Sequence, residues 1–279
     1  MRLRRGGVSL IELLIAITVV GIIAAAMTRL LLSNSRSTEV RNAERDARAV
    51  SRAAINLLES ELRMVDPFGV IAPTNDSTLT VRAPYAFGTV CSATVGAGSA
   101  ISTLPSAELP ASLVVPGRRG WAWRDATGAY VYESGTSLAA DGPADCVAAG
   151  VAVVPGGRVV YATPLTSGPP TPGSIIFLYR QLTYSLRASN TFPGRRGLFR
   201  TVGANGTPEE LAAPFSAGSR FRFYIMNQLI ASDTVPTFLD NLRGVQFILN
   251  GESIRQPRTS SDVARAPFLT SVFFQNRPS

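Results

Sequence analysis

Gly6-Gly7-Val8-Ser9-Leu10-Ile11-Glu12 decides the fold of this chain, because a short basic leader meets a long apolar segment there. The apolar segment runs from Val8 to Leu32 and carries a carboxylate, Glu12, near its start and Arg29 near its end. An ionised carboxylate is costly in hydrocarbon unless it finds a partner, so its position indicates a function. About 25 helical residues span roughly 38 Å, which is enough to cross a bilayer core of about 30 Å.

The same residues resemble the N-terminal signal of type IV pilin-like proteins. In that family a prepilin peptidase cuts after a glycine and leaves glutamate as the fifth residue of the mature chain. The resemblance implies that residues 1–7 are a leader peptide, that the cut falls between Gly7 and Val8, and that Val8 becomes the N-methylated N-terminus. Glu12 is then the assembly carboxylate, which neutralises the new α-amine of a neighbouring subunit inside a helix bundle.

The helical pattern continues beyond the apolar segment. Apolar residues recur at steps of three and four through residues 33–65 and predict one buried stripe on an amphipathic helix: Ala43, Ala47, Val50, Ala54, Leu58, Leu62 and Val65. We therefore expect a single helix from about Val8 to Val65. Residues 8–32 form its transmembrane half and residues 33–65 its amphipathic half.

The alternative for the N-terminus is an ordinary secretory signal peptide, with Leu13 to Ile23 as its core and Ala24-Ala25-Ala26 as the cleavage motif. Glu12 argues against it, because a cleaved signal has no evident use for a carboxylate there. The helical pattern beyond that cut also argues against it. Two charged pairs stand in the favourable i,i+4 order on the opposite face of the predicted helix, namely Glu44 with Arg48 and Glu59 with Arg63.

The composition changes after Asp66-Pro67-Phe68-Gly69, which marks the start of a globular domain over residues 66–279. Residues 96–110 and 166–173 are predicted to be flexible loops. Short β-forming runs, separated by Gly and Pro turns, predict an antiparallel sheet that packs on the amphipathic half of the helix, an α+β fold. The runs are Leu79–Arg82, Leu113–Val115, Trp121–Trp123, Tyr130–Tyr132, Val151–Val154, Val159–Tyr161, Ile175–Tyr179, Leu182–Leu186, Leu198–Val202, Phe221–Ile225, Val245–Leu249 and Leu269–Gln275.

Three C-terminal segments resemble the J-type minor pseudopilins of type II secretion and the PilW-like minor pilins. They are Ile175-Ile176-Phe177-Leu178-Tyr179-Arg180, residues 238–247, and Val272-Phe273-Phe274-Gln275-Asn276-Arg277. The resemblance implies a structural subunit of a pilus or pseudopilus that needs no cofactor. Its partners would be prepilin peptidase, other major and minor pilins, an inner-membrane assembly platform and membrane lipid. Such subunits form an initiating tip complex.

The leader indicates the orientation of the chain in the membrane. Arg2, Arg4 and Arg5 place the short N-terminal side in the cytoplasm by the positive-inside rule. We therefore expect a single-pass inner-membrane protein with a periplasmic C-terminal domain, which later joins a pilus or pseudopilus.

The net charge is +8, and all 27 basic residues are arginine. From Asp66 onward, 17 arginines stand against 13 acidic residues, a mild excess for more than two hundred residues. This charge does not indicate a dedicated nucleic-acid binder. A DNA-binding competence pilin is nevertheless the alternative function, and DNA contacts would be sought at Arg118-Arg119 and Arg195-Arg196.

The chain has two cysteines, Cys91 and Cys146, and no histidine. Without histidine, neither a Ser-His-Asp nor a Cys-His site can be assembled, so we do not expect an enzyme. A disulfide formed in an oxidising compartment is the favoured interpretation of the cysteines and would stabilise the fold by about 4 kcal/mol through chain entropy. Two separate buried thiols are the alternative.

Three further groups are interpreted as structural. Gly96-Ala97-Gly98-Ser99 lacks the third glycine of a dinucleotide-binding loop and is predicted to be a flexible loop. Asp141 and Asp145 lack the spacing of a Ca²⁺ site and are predicted to lie in a solvated turn. Trp121 and Trp123 would share one face of a strand, where core or sheet surface is favoured over a platform for a sugar or a base.

Overall fold

The structure is a computed structural model that describes residues 10–105, 109–115, 117–135, 137–225, 228–236, 239, 242–258 and 260–274. A 53-residue helix, α1 (Leu10–Leu62), leads through a short 3₁₀-helix (Pro67–Gly69) into a β-rich region. The remaining elements are β1 (Val70–Asn75), β2 (Thr78–Thr94), β3 (Gly98–Thr103), β4 (Arg118–Arg124), β5 (Tyr130–Glu133), β6 (Ser137–Ala140), α2 (Ala144–Ala148), β7 (Val159–Thr163), β8 (Ile175–Ala188), β9 (Arg196–Val202), β10 (Glu209–Phe215), β11 (Arg220–Ile225), β12 (Leu242–Glu252) and β13 (Arg265–Phe273). The predicted α+β class is confirmed.

Helix α1 is continuous from its apolar half into its amphipathic half, as predicted. The residues that it buries lie on one stripe: Ala43, Ala47, Ser51, Ala54, Ile55, Leu58 and Leu62. Val50, which was predicted to lie on the stripe, is only partly buried against the same core. Ser51 and Ile55, which were not among the predicted positions, are buried on the stripe. Beyond the end of the helix, Asp66 accepts a hydrogen bond from the Phe68 N–H at 2.9 Å and caps the following 3₁₀ turn.

The strands form one antiparallel sheet in the order β11-β12-β10-β9-β8-β2-β3-β7-β6. Strand β1 adds to β2, β13 adds to β12, and β4 with β5 extends from β8. The long pair β2 and β8 forms the spine, with Thr78 opposite Ser185 and Thr89 opposite Ile175. The sheet is therefore organised around one long antiparallel pair, β2 and β8, whose strands are far apart in the sequence.

Two main cores lie along this spine. The first packs the amphipathic half of α1 against the sheet, with Leu58 and Leu62 of the helix meeting Leu182, Phe221 and Phe247. The second lies at the other end of β8 and contains Trp121, Trp123, Ile176 and Leu178. Because Ile176, Leu178, Leu182, Tyr184 and Leu186 alternate along β8, one face of this strand lines both cores.

Three strand and loop predictions were wrong. Residues 98–103 form strand β3 although residues 96–110 were predicted to be a loop. Leu113–Val115 is not a strand, and Leu113 has a positive φ of 55°, which a β-strand does not accommodate. Val151–Val154 is not a strand either. The predicted runs at 175–179 and 182–186 are both in a strand, and they join into the single strand β8. Residues 166–173 contain no helix or strand, in keeping with a loop.

The two cysteines meet where β2 faces the short helix α2. The Cys91 and Cys146 sulfur atoms are bonded at 2.09 Å, and both side chains are fully buried. Tyr161 and Val159 of β7 pack beside them. The disulfide thus fastens α2 to the sheet across 55 residues of chain.

Candidate anchoring and assembly site

The N-terminal half of α1 is an apolar rod that the rest of the described chain leaves uncovered. Every side chain from Leu10 to Thr38 is exposed, and the most apolar 18-residue window has a mean hydropathy of 2.6 with none of its residues buried. The helix is long and apolar enough to cross a membrane. An exposed apolar surface of this size marks a membrane anchor or an interface with other helices.

Two hydroxyl groups within the rod are compatible with hydrocarbon. The Thr18 hydroxyl donates to the Ile15 carbonyl at 2.8 Å, and the Thr28 hydroxyl donates to the Ala24 carbonyl at 2.8 Å. These hydroxyls are satisfied by the helix itself, as membrane helices require. Glu12 is the acidic residue of the first helical turn. Gly7 and Val8, the predicted cleavage and methylation site, lie outside the described residues.

The amphipathic half of α1 approaches the backbone of β12 closely. The Ser51 hydroxyl accepts a hydrogen bond from the Gly251 N–H at 3.0 Å and donates to the Leu249 carbonyl at 3.3 Å. A Cβ atom on Gly251 would lie 2.1 Å from the Ala47 carbonyl oxygen, so only glycine fits there. This contact joins residues 200 positions apart in the chain.

A cluster of charges fixes the C-terminal end of α1 to β8 and β9. Glu61 accepts a hydrogen bond from the Tyr184 hydroxyl and forms an ion pair with Arg200, with Oε1 and Nη1 2.6 Å apart. Arg200 also pairs with Glu209 at 3.1 Å. Burial and the neighbouring Glu61 carboxylate raise the pKa of Tyr184, so its hydroxyl keeps its proton and remains a donor. The helix is therefore held to the domain by directional polar contacts as well as by apolar packing.

The exposed flanks of the amphipathic half carry the predicted ion pairs. Glu44 and Arg48 approach to 3.4 Å, and Glu59 and Arg63 approach to 3.5 Å. Both pairs are solvent-exposed enough to contribute little stability. Thr270 of β13 donates a hydrogen bond to Glu59 at 2.9 Å, which adds one more contact between the helix and the sheet.

Three of the four arginines considered for DNA contacts have structural roles. Arg196 donates to the Ser219 carbonyl at 2.8 Å and to the Leu186 carbonyl at 3.1 Å. Arg195 donates to the Ser253 carbonyl at 2.7 Å, and Arg118 donates to the Leu113 carbonyl at 2.8 Å. Arg119 is exposed. Both guanidinium groups of the 195–196 pair therefore tie strands and loops together.

The other groups singled out in the sequence are structural. Trp121 and Trp123 lie in β4, only 1% and 9% exposed, so they belong to the core and neither offers a stacking platform. Asp145 accepts a hydrogen bond from Ser92 at 3.1 Å, and Asp141 accepts one from the Gly142 N–H at 2.9 Å. Gly98 and Ser99 lie in β3 and not in a loop. Among the described residues, no three His, Cys, Asp or Glu side chains form a group that could hold a metal ion.

Sequence reasoning missed the residues that join α1 to the sheet. Ser51 lies four residues after Ala47, so its position on the buried stripe was readable from the helical period. Gly251, Glu61, Tyr184 and Arg200 carried no comparable signal. Their roles depend on which strands reach the helix.

Residues 2–28 match the family model described as the prokaryotic N-terminal methylation motif. The match covers the leader, the predicted cleavage site and most of the apolar rod. A search of curated proteins and a search of solved structures found no match to the chain. This motif and the long exposed helix are consistent with a type IV pilin-like protein: the chain carries a prepilin-type N-terminal motif on an apolar helix suited to anchoring in a membrane. The motif implies processing by prepilin peptidase and assembly with other pilins.

Proposed function

We propose that this chain is a minor pilin or minor pseudopilin, a structural subunit of a type IV pilus or of a type II secretion pseudopilus. The observation that carries the proposal is the division of α1 into two parts. Residues 10–38 are exposed along their whole circumference, whereas buried positions from Ala43 to Leu62 fasten the helix to a sheet domain. One half of the helix is thus available to membrane and neighbouring subunits, and the other half carries the domain.

In this proposal the N-terminal residues act in two stages. Prepilin peptidase cuts between Gly7 and Val8, which creates a free α-amine at Val8 that is then methylated. The Glu12 carboxylate of an adjacent subunit neutralises this amine within the helix bundle. Each charge alone is costly in an apolar bundle and the pair is tolerable, so the pairing sets the register of assembly as well as supplying attraction.

The large domain after α1 supports a minor subunit over a major one. It would lie in the periplasm before assembly and on the outer surface or at the tip of the filament afterwards. Strand β8 contains the first segment that resembles the J-type and PilW-like minor subunits, and strands β12 and β13 contain residues 242–247 and 272–273 of the other two. On this basis the chain joins other minor subunits in an initiating tip complex and carries out no catalysis.

The test is incorporation of the full-length chain into filaments of its native host. We expect the wild-type protein to be processed and to co-fractionate with sheared filaments at a much lower copy number than another pilin. Glu12→Ala should be processed normally and be missing from the filament fraction, whereas the control Glu44→Ala, in the amphipathic half, should be incorporated. Absence of the wild-type chain from every filament fraction would overturn the proposal, and normal incorporation of Glu12→Ala would overturn the role of that carboxylate.

A further inference from the structure

The exposed surface of α1 beyond the apolar rod carries opposite charges on its two flanks. Arg41, Arg45, Arg48 and Arg52 follow one another at steps of four, three and four residues and therefore lie on one flank of the helix. They span about 16 Å along the axis, and all four are exposed. We call this set the arginine flank.

The arginine flank borders a groove between the helix and the edge strand β13. The groove has a volume of about 400 Å³ and is lined by Glu44, Arg48, Arg52, Arg265 and Phe268 among others. Two carboxylates that contact these arginines already have partners, since Glu44 pairs with Arg48 at 3.4 Å and Glu252 pairs with Arg265 at 3.1 Å. The flank and the groove together present a surplus of positive charge.

Three members of the flank have no acidic partner among the described residues. Arg41, Arg45 and Arg52 form no ion pair with any residue that the structure describes. Five arginines of the sheet domain pair with a carboxylate, namely Arg195, Arg200, Arg220, Arg222 and Arg265. The three unpaired arginines of the flank lie on the helix that the proposed function places among other helices.

The opposite flank of the same helix is acidic, but the chain's own arginines face it. Glu39 and Asp46 line a groove of about 560 Å³ whose other wall includes Arg255 and Arg258. A second copy of this chain would therefore have to bring its arginine flank past two like charges to reach these carboxylates. This arrangement opposes pairing between identical subunits.

We propose that the arginine flank is the docking surface for the acidic helix flank of a different pilin subunit, which makes this chain a heterotypic partner within its filament. The inference rests on the proposed function, because it identifies the chemistry of the neighbour along α1. The complementary charge of the partner supplies the attraction and sets the register. Arg255 and Arg258, in the groove that contains Glu39 and Asp46, repel the arginine flank of a second copy. The expected partner presents glutamate or aspartate at i, i+4, i+7 and i+11.

The binding experiment uses the full chain in detergent and a labelled 25-residue helical peptide with glutamates at i, i+4, i+7 and i+11. A peptide of the same composition with its glutamates distributed around the helix is the matched probe. We expect the flank peptide to bind at least ten-fold more tightly than the scattered one at low salt. The Arg45→Glu/Arg52→Glu variant should lose this preference, and Arg119→Glu/Arg243→Glu, with the same change of charge at exposed positions elsewhere, should retain it.

Three results would overturn the inference. Equal binding of both peptides, or no loss in Arg45→Glu/Arg52→Glu, shows that the flank recognises no acidic helix face. Tighter binding of a 20-nucleotide single-stranded DNA than of the flank peptide, lost in the same variant, assigns the flank to nucleic acid. Wild-type chains that associate with one another through the flank, as seen by sedimentation of wild type against variant, show that the partner is a second copy.

Filament incorporation separates this inference from the proposed function. If wild-type chain enters filaments and Arg45→Glu/Arg52→Glu enters equally well, the arginine flank is not a docking surface although the chain is a filament subunit. If wild-type chain enters no filament, the proposed function itself fails. Wild-type incorporation with loss in the variant supports both.

Discussion

The hydroxyl of Ser51 on α1 lies 3.0 Å from the backbone nitrogen of Gly251 on β12 and accepts its hydrogen bond. Both residues are buried, and the helix backbone at Ala47 fills the space where a side chain on Gly251 would project. The docking of the helix on the sheet therefore depends on the absence of a side chain at one position.

Gly251→Ala should weaken this docking strongly. The new Cβ would lie 2.1 Å from the Ala47 carbonyl oxygen and 2.5 Å from the Ser51 hydroxyl, so helix and strand must separate. We expect a loss of about 1–3 kcal/mol in the free energy of unfolding, as for other overpacked sites. Denaturant unfolding of the full chain in detergent, followed by tryptophan fluorescence, measures it. Gly142→Ala is the control, since its Cβ would meet nothing within 4 Å; equal losses in the two variants would contradict this account.

Glu61→Gln should destabilise the end of α1 by about 1–3 kcal/mol, because Arg200 loses a close carboxylate partner in a partly buried site. The Tyr184 hydroxyl would also lose a charged acceptor. Denaturant unfolding again provides the measurement. The exposed pair on the same helix gives the comparison, and Glu44→Gln should change stability by less than about 0.5 kcal/mol. A smaller effect for Glu61→Gln than for Glu44→Gln would contradict this interpretation.

Asp66→Asn should make the protein more stable at neutral pH. Burial raises the pKa of Asp66 above its usual range even though the Phe68 N–H donates to it. The folded protein therefore favours the protonated form of Asp66. The contribution of this residue to stability is complete below its ordinary pKa and is lost as the pH rises through the raised pKa. Asparagine keeps the acceptor without the charge, so the gain should shrink towards acidic pH. Melting temperatures measured from pH 4 to pH 8 follow it.

Asp233→Asn provides a control of opposite sign for this pH dependence. A hydrogen bond from Arg220 and the positive charge of Arg222 lower the pKa of Asp233. Its contribution to stability is present above its ordinary pKa and is lost as the pH falls through the lowered pKa. This variant should therefore be less stable than wild type at neutral pH and should approach wild type in acid. The same pH trend in both variants would refute the assignment for Asp66.

Replacement of both cysteines by serine should lower stability by about 2–4 kcal/mol, because the unfolded chain is no longer restrained by the Cys91–Cys146 bond. Unfolding with and without reductant tests this. Reductant should destabilise the wild-type chain and leave the double variant unchanged. Wild-type protein that is as stable in reductant as without it would show that the bond does not support the fold.

Gly7→Val should leave the leader attached, because a branched side chain replaces the hydrogen of the residue before the cut. Immunoblots of membranes from the native host would then show only the longer species. Gly6→Val, one position further from the bond, should still be cut. If both variants are processed normally, the cut does not follow Gly7.

The sequence was sufficient to predict α1, because its signals are local. The period of apolar residues from Ala43 to Leu62 and the i,i+4 ion pairs depend only on neighbours within two helical turns. The role predicted for Glu12 depends on a signal that is equally local, a glycine and a carboxylate five positions apart at Gly7 and Glu12.

The strands were less predictable because their partners are distant. Strand β2 continues through Pro84 because a register shift between Pro84 and Ala86 places Tyr85 and Ala86 in the same core, and a proline within a run normally argues against a strand. Strand β3 consists of small residues apart from Ile101, and a Cβ on Gly98 would lie 2.5 Å from the Ala162 carbonyl oxygen. Residues 98–103 form a strand because their backbone lies close to β7, and not because these residues have a high β-propensity.

Docking α1 on β12 and β13 has a consequence for the order in which the protein matures. The helix emerges first during synthesis, but Gly251, which Ser51 of the helix contacts, lies 200 residues later. Ribosomes must therefore complete nearly the whole polypeptide before Ala47 and Ser51 can meet Gly251. A nascent chain that stops short of β12 and β13 therefore leaves uncovered the part of the helix face that these two strands contact in the finished protein.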